Sequence, residues 1–260
     1  MNHLLRNLKA DYLKAKRTPL RAAHLVIPCV MAAVFLIYYA AAPWNAYSKV
    51  QAYFQIMGLG YPFLIGTFCA IVAEQEAYAG AYQMMLGVTD RKAAFLSKLL
   101  LLILFGTGAC ILTSVLFGTG YYFVLQQHVV RYSFYWIAAL SMAGGSAFLY
   151  VWHMFLALRF AKGVSVGLGI AESLLAALCL TGLGDAVWIY LPPAWASRIA
   201  CTVMYRYAEN GIADVYADSQ SGVGHLCSGL WICVVVTVAA CIFYVAWGCR
   251  WEGAKGNEQA

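Results

Sequence analysis

The chain has 260 residues, of which 63% are hydrophobic and only 11% charged, and its formal net charge is +6. A soluble domain carries about 25% charged residues, so this composition excludes an ordinary soluble enzyme and points to an integral membrane protein. The positive balance is not a nucleic-acid footprint, because the basic residues stand at the ends of apolar runs, where they orient membrane helices.

In chain order, residues 1–22 come first. Leu4, Leu5, Leu8 and Leu13 lie among basic residues, a pattern that predicts an amphipathic helix on the inner membrane surface; a plain basic tail is the alternative. The first apolar run starts only near Leu25, and no convincing small-residue cleavage site follows, which argues against a signal peptide. A span needs about 20 mainly apolar residues. Candidates run from Leu25 to Ala42, Tyr53 to Ala73, Leu99 to Leu125, Phe134 to Leu158, Val164 to Thr181 and Leu226 to Trp247. Glycines and Glu172 interrupt the fifth. No polar stretch is long enough to fold alone, so residues 1–260 are read as one all-α membrane domain with six transmembrane helices.

Orientation follows from the lysines and arginines. Arg6, Lys9, Lys14, Lys16, Arg17, Arg21, Arg91, Lys92, Lys98, Arg159, Lys162, Arg250 and Lys255 flank one side. Only Lys49, Arg131, Arg198 and Arg206 flank the other. Both termini are therefore expected in the cytoplasm, and the even number of spans, which puts them on one side, agrees. The longest non-spanning stretch, residues 182–224, is then extracellular. Its Trp188, Tyr190 and Trp195 favour a membrane interface, so part of it is expected along the outer leaflet.

The most patterned polar segment is 74–98, between the second and third spans. Glu74 and Glu76 close the second span; Asp90, Arg91, Lys92 and Lys98 precede the third. Thr89 or Asp90 can cap a helix running into that span. Met84, Met85, Leu86 and Val88 offer a small apolar cluster, and a short helix with such a face can dock in a partner's groove. An ordinary loop with positive-inside charges is the plain alternative.

Glu74 and Glu76, then Leu86-Gly87-Val88-Thr89-Asp90-Arg91-Lys92, then Ser97-Lys98-Leu99 resemble the ABC type 2 exporter permeases. In that family an acidic residue, a short helix with a turn, a basic pair and a Ser/Ala-Lys-Leu occupy this loop. The layout of six spans behind an amphipathic segment is also similar. Chain size and the stretch Trp188-Ile189-Tyr190-Leu191-Pro192-Pro193-Ala194-Trp195 are most like lantibiotic self-protection permeases. The resemblance implies a bacterial plasma-membrane permease that pumps an amphipathic antimicrobial peptide out of the bilayer. ATP would be bound and hydrolysed by a separate cytoplasmic ATP-binding cassette subunit; the chain has no GxxxxGK[S/T] phosphate loop of its own and is not expected to be an enzyme or to hold a cofactor. A second permease chain, most simply a sister subunit, would complete the membrane part. Residues 74–98 would be the coupling helix, with Glu74, Glu76, Tyr82, Asp90, Arg91 and Lys92 near the ATPase. Trp188, Tyr190 and Trp195 would face a peptide arriving through lipid. The alternative is a membrane partner of a sensor kinase or ATPase that assembles or signals and transports nothing.

Other constellations weigh less. Glu172, a carboxylate inside a span, is costly there and by default a functional candidate, unless it reaches interfacial water. Gly163, Gly167 and Gly169 beside it allow close helix approach. Ser146 and His153 share a face of the fourth span, but no third group is visible to orient the histidine, so hydrolysis is disfavoured. Gly182-Leu183-Gly184-Asp185 matches the string of intramembrane aspartyl proteases, which need a second aspartate inside a span; none exists, and Asp185 is read as a turn residue. Arg198, Arg206, Glu209, Asp214 and Asp218 are a solvated outer face or, alternatively, a cationic-peptide contact. The 9 cysteines sit mostly inside apolar runs, where cysteine acts as a small hydrophobe; only Cys201 and Cys227 share an outer segment and could pair. No Cys/His spacing suggests a metal.

Overall fold

The computed structural model describes residues 3–16, 18–185, 187–208 and 225–253. Helix α1 covers His3–Ala15, α2 Leu20–Ala41, α3 Ala46–Tyr78, α4 Gln83–Leu86, α5 Arg91–Thr119, α6 Ser133–Arg159, α7 Lys162–Leu178, α8 Pro192–Met204 and α9 Leu226–Arg250. A π-helical turn, Gly120–Val124, extends α5, and three-residue 3-10 turns join the later elements. A lone antiparallel bridge between Val130 and Ala208 is the one β contact among the described residues. The architecture is all-α.

Five helices are long and apolar enough to cross a bilayer: α2, α3, α5 with its π turn, α6 and α9. They coincide with five of the six expected spans. The fifth expected span is α7, whose 17 residues give about 25 Å, at the short end for crossing. Polar Glu172 and the glycines that interrupted its pattern lie within it. By contrast α3 has 33 residues, about 50 Å, well beyond the ~30 Å hydrocarbon layer. That excess carries Glu74, Gln75 and Glu76 away from the apolar middle.

α3 and α6 form the centre. Tyr53 of α3 stacks on Phe117 of α5 at 3.7 Å between centroids, and Phe54 meets Phe134 edge-on at 5.2 Å. α2 and α9 lie outside, presenting Leu25, Val26, Val30, Val34 and Ile37, and Trp231, Val234, Val238, Ile242 and Phe243. In lipid such side chains gain nothing by burial, so the apolar helices sit at the edge and close packing holds the centre.

Small residues set that packing. α8 is inserted against α3 and α6, with Ala194, Trp195, Ala196, Ser197 and Ala200 buried. A Cβ at Gly58 of α3 would come within 2.8 Å of the Ser197 backbone, and one at Gly145 of α6 within 2.9 Å of Ala196. The two glycines are the slot that admits α8. Pro192 and Pro193 open α8, where a proline costs no helical hydrogen bond.

The element ends sort into two sets. Lys14, Glu74, Glu76, Lys98, Arg91, Lys162 and the carbonyls of Cys249 and Trp251 are joined by side-chain bonds at one end, the basic end. The α5–α6 loop, α8 and the turns before it meet at the other.

Candidate functional site

At the basic end α3 stops at Tyr78 and the chain reverses through three left-handed residues, Gly80 (φ 105°), Ala81 (φ 50°) and Tyr82 (φ 67°). Two of them carry a Cβ, a conformation costing of order 1 kcal/mol each. Backbone bonds hold the turn: Ala81 N–H donates to Ala77 O at 2.8 Å and Tyr82 N–H to Glu76 O at 3.1 Å. The Tyr82 ring packs edge-on to Trp251 at 5.0 Å, and burial pushes its phenol above the ordinary tyrosine value. α4, a single turn, follows. Asp90 then caps α5, its Oδ1 accepting from Ala93 N–H at 3.1 Å.

Arg91 turns inward. It donates to Leu86 O at 3.2 Å and to Cys249 O and Trp251 O at 3.4 Å, so the loop is bolted to the end of α9. These carbonyls have no helical partner, and a basic side chain near a helix C-terminus satisfies them. Of the expected apolar cluster, Met85 is buried and Leu86 half-buried, whereas Met84 is 58% exposed. Tyr78, Gln83 and Lys92 complete the exposed face.

Beneath this turn lies a buried charge network. Lys98 Nζ donates to Asp11 Oδ1 and to Glu76 Oε1, both at 2.8 Å. Lys14 Nζ reaches the same Glu76 oxygen at 2.8 Å, and Ser97 Oγ donates to Asp11 Oδ2 at 2.6 Å. Asp11, Glu76 and Lys98 are all buried. Glu76 therefore joins two systems: its carbonyl anchors the reverse turn and its carboxylate anchors α1 and α5.

This corrects the placement of Glu76. It is not at a surface where a partner could touch it; it is 2% exposed, held inside by two lysines. Arg91 is likewise spent mainly on its own chain. Glu74 is partly exposed and pairs with exposed Lys162. Asp90 serves the cap, Tyr82 leans on Trp251, and Lys92 alone of the six projects freely outward. Asp11 was not singled out in the sequence, Lys14 stood there only as an orienting charge, and Ser97 only within the Ser97-Lys98-Leu99 stretch. One signal existed: Asp11 is the only acid in the basic segment before α2.

A second polar cluster joins α6 and α7. His153 Nε2 lies 2.8 Å from Glu172 Oε2, and Nδ1 lies 3.1 Å from Ser165 Oγ. Ser165 Oγ is also 3.0 Å from Gly66 O of α3. The carbonyl can only accept, so the serine proton goes there. Nδ1 then carries the imidazole N–H and donates to Oγ, and one proton lies between Nε2 and Glu172. The histidine thus does have an orienting group, Glu172, which the sequence reading lacked. Ser146 is not its partner: that hydroxyl donates to Ala143 O at 3.1 Å. Ser165 is fully buried against the α3 backbone, so the chain of bonds ties helices and presents no nucleophile to a substrate. Ser165, Gly169, Glu172 and Ala176 share the inward face of α7. A Cβ at Gly169 would come within 2.7 Å of Pro62 O, whereas Gly163 and Gly167 face open space. Of the three glycines only Gly169 makes a close approach.

The opposite end also departs from expectation. Trp188 and Trp195 are 0% and 1% exposed; they fill the core around α8, and Trp195 Nε1–H donates to Ile189 O at 3.0 Å. Neither is a surface that an arriving peptide can meet. Tyr190 is exposed. Asp185 is a turn residue, paired to Arg198 Nη1 at 2.8 Å, and Arg198 also donates to Cys179 O and Thr181 O. Arg206 is exposed; Glu209, Asp214 and Asp218 lie outside the described residues. All nine cysteines are free, Cys201 and Cys227 included. Among the described residues no three His, Cys, Asp or Glu side chains gather to hold a metal.

A cavity among α2, α3, α5 and α6, lined by His24, Met57, Tyr61, Phe68, Cys110 and Tyr150 among others, measures about 40 Å³, room for a water or two. No protein-family model matches the sequence, and no curated protein matches it.

Proposed function

We propose that this chain is the membrane-spanning permease subunit of an ATP-driven exporter of the ABC type 2 kind, and that the loop between α3 and α5 receives the ATPase. The observation that carries the reading is the construction of that loop. The strained turn at 80–82 and the single-turn α4 are fastened to α9 through Arg91 and Trp251, and to α1 and α5 through Glu76. A push on α4 therefore reaches α1, α3, α5 and α9 together; a floppy loop would absorb it. The outward face of Tyr78, Gln83, Met84 and Lys92 is left for the partner.

In this reading α7 is the sixth span, both termini are cytoplasmic, and the basic end faces the ATPase, as the lysine and arginine distribution requires. The 40 Å³ cavity cannot pass a peptide, which favours transport along a surface shared with a second permease chain. The substrate class, an amphipathic antimicrobial peptide removed from the plasma membrane of a bacterium, rests on the resemblance of the sequence alone. Trp188 and Trp195 are withdrawn from substrate contact; Tyr190 stays a candidate.

The test is co-purification from membranes with a candidate ATP-binding subunit. Met84→Glu and Lys92→Glu should each insert normally and lose the ATPase. Retention of the ATPase by both would move the docking site elsewhere. Absence of any ATPase with the wild type would favour a signalling or assembly partner instead.

A further inference from the structure

The first helix leaves a groove that none of this uses. Between α1 and α5 runs an open channel of about 340 Å³, walled by Leu5, Leu8, Tyr12, Leu101, Leu104 and Phe105, with Lys9 its one charged wall residue. A second cation stands beside it. The Arg21 guanidinium lies 3.8 Å from the centroid of the Tyr12 ring and donates to Tyr12 O. Neither Lys9 nor Arg21 has a carboxylate partner among the described residues. The single acid of α1, Asp11, is consumed on the other face by Lys98 and Ser97. The same bonds pin α1 in place, so the groove exists before anything enters it, which lowers the cost of binding.

We propose that this groove binds an anionic glycerophospholipid, one acyl chain lying between α1 and α5 and the phosphate meeting Lys9 and Arg21. Its floor belongs to α5, a membrane-crossing helix, and Leu104 on that floor is 52% exposed, continuous with the lipid-facing surface. An acyl chain entering from the bilayer covers the apolar wall and leaves its head beside two unpaired cations. A soluble phosphate would satisfy the cations and leave the wall bare.

Native mass spectrometry of the full chain in detergent, titrated with phosphatidylglycerol or phosphatidylcholine of identical acyl chains, tests the assignment. One cation near an anionic lipid surface is worth about fivefold in binding, and two about thirtyfold. Phosphatidylglycerol should therefore bind about thirtyfold tighter. Lys9→Gln with Arg21→Gln should erase that preference, and Arg250→Gln, an exposed cation elsewhere on the same end, should leave it. Leu104→Trp fills the groove and should weaken both lipids. Should the double variant fail to fold, Lys9→Gln alone, exposed and unpaired, should lose about fivefold. Equal binding of the two lipids, a preference that survives loss of both cations, or displacement of phosphatidylglycerol by inorganic phosphate would each overturn the proposal.

Discussion

Two buried ionic clusters hold this bundle, and they are built on different principles. At the basic end four charges, Asp11, Lys14, Glu76 and Lys98, meet across α1, α3 and α5. Farther in, His153 and Glu172 meet across α6 and α7, Glu172 standing ten residues, about 15 Å, into its helix. The first cluster consists of full charges that neutralise one another. The second can hold a single proton between its partners and be neutral without any further ion. Position along the helices fits the difference: a permanent charge is tolerable near a helix end, and between packed helices farther in a pair that can cancel itself is cheaper.

The sharpest way to break the comparison is to remove the cation at the hub. Lys98→Met leaves Glu76 with Lys14 and buried Asp11 with Ser97 alone, and should cost about 3–5 kcal/mol, read as lost thermal stability in detergent. Replacing all four, Asp11→Asn, Lys14→Met, Glu76→Gln and Lys98→Met, should recover most of that loss, since no charge is then stranded. Next in size is the packing slot. Gly145→Val drives a side chain into the α8 backbone, and overpacking of this kind costs about 1–3 kcal/mol or more; Gly144→Val, facing open space, should be silent.

The inner cluster should respond less. Glu172→Leu strips His153 Nε2 of its partner and should cost about 1–3 kcal/mol. Glu172→Gln can still donate to Nε2 and should lose under about 1 kcal/mol. Equal losses for the two would mean that the carboxylate charge, rather than the hydrogen bond, does the holding. Smallest of all is Met84→Glu, at an exposed position with no partner to strand; it should leave the unfolding temperature within a degree or two while abolishing ATPase binding.

The two clusters were also unequally legible. Helices α2, α3, α5, α6 and α9 could be read from apolar runs because the bilayer fixes span length. The central helices are the least apolar of the five: 61% and 56% of the apolar windows of α3 and α6 are buried, against 39% for α5, 17% for α2 and 11% for α9. Lipid rewards an apolar exterior, so hydropathy finds spans, and its highest values do not mark the inside. Glu172 was visible as a carboxylate in an apolar run, and Asp90 as a cap. Asp11 was not, because its partners stand 86 and 87 positions away and no periodicity links a surface helix to the third long helix. Trp188 and Trp195 misled for a related reason. Tryptophan suits the interface and the core alike, and only the glycine slot in α3 and α6, formed by residues far apart in sequence, decides for the core.

The most direct measurement is photo-crosslinking from single positions on the two sides of the 78–92 loop. A photoreactive amino acid at Met84 should capture an ATP-binding cassette protein, identified by mass spectrometry through its phosphate-loop peptide, and one at Met85 should crosslink only within the chain. Capture of that protein from Met85 or from Tyr190 at the opposite end, with none from Met84, would contradict the docking face and the orientation on which the account depends.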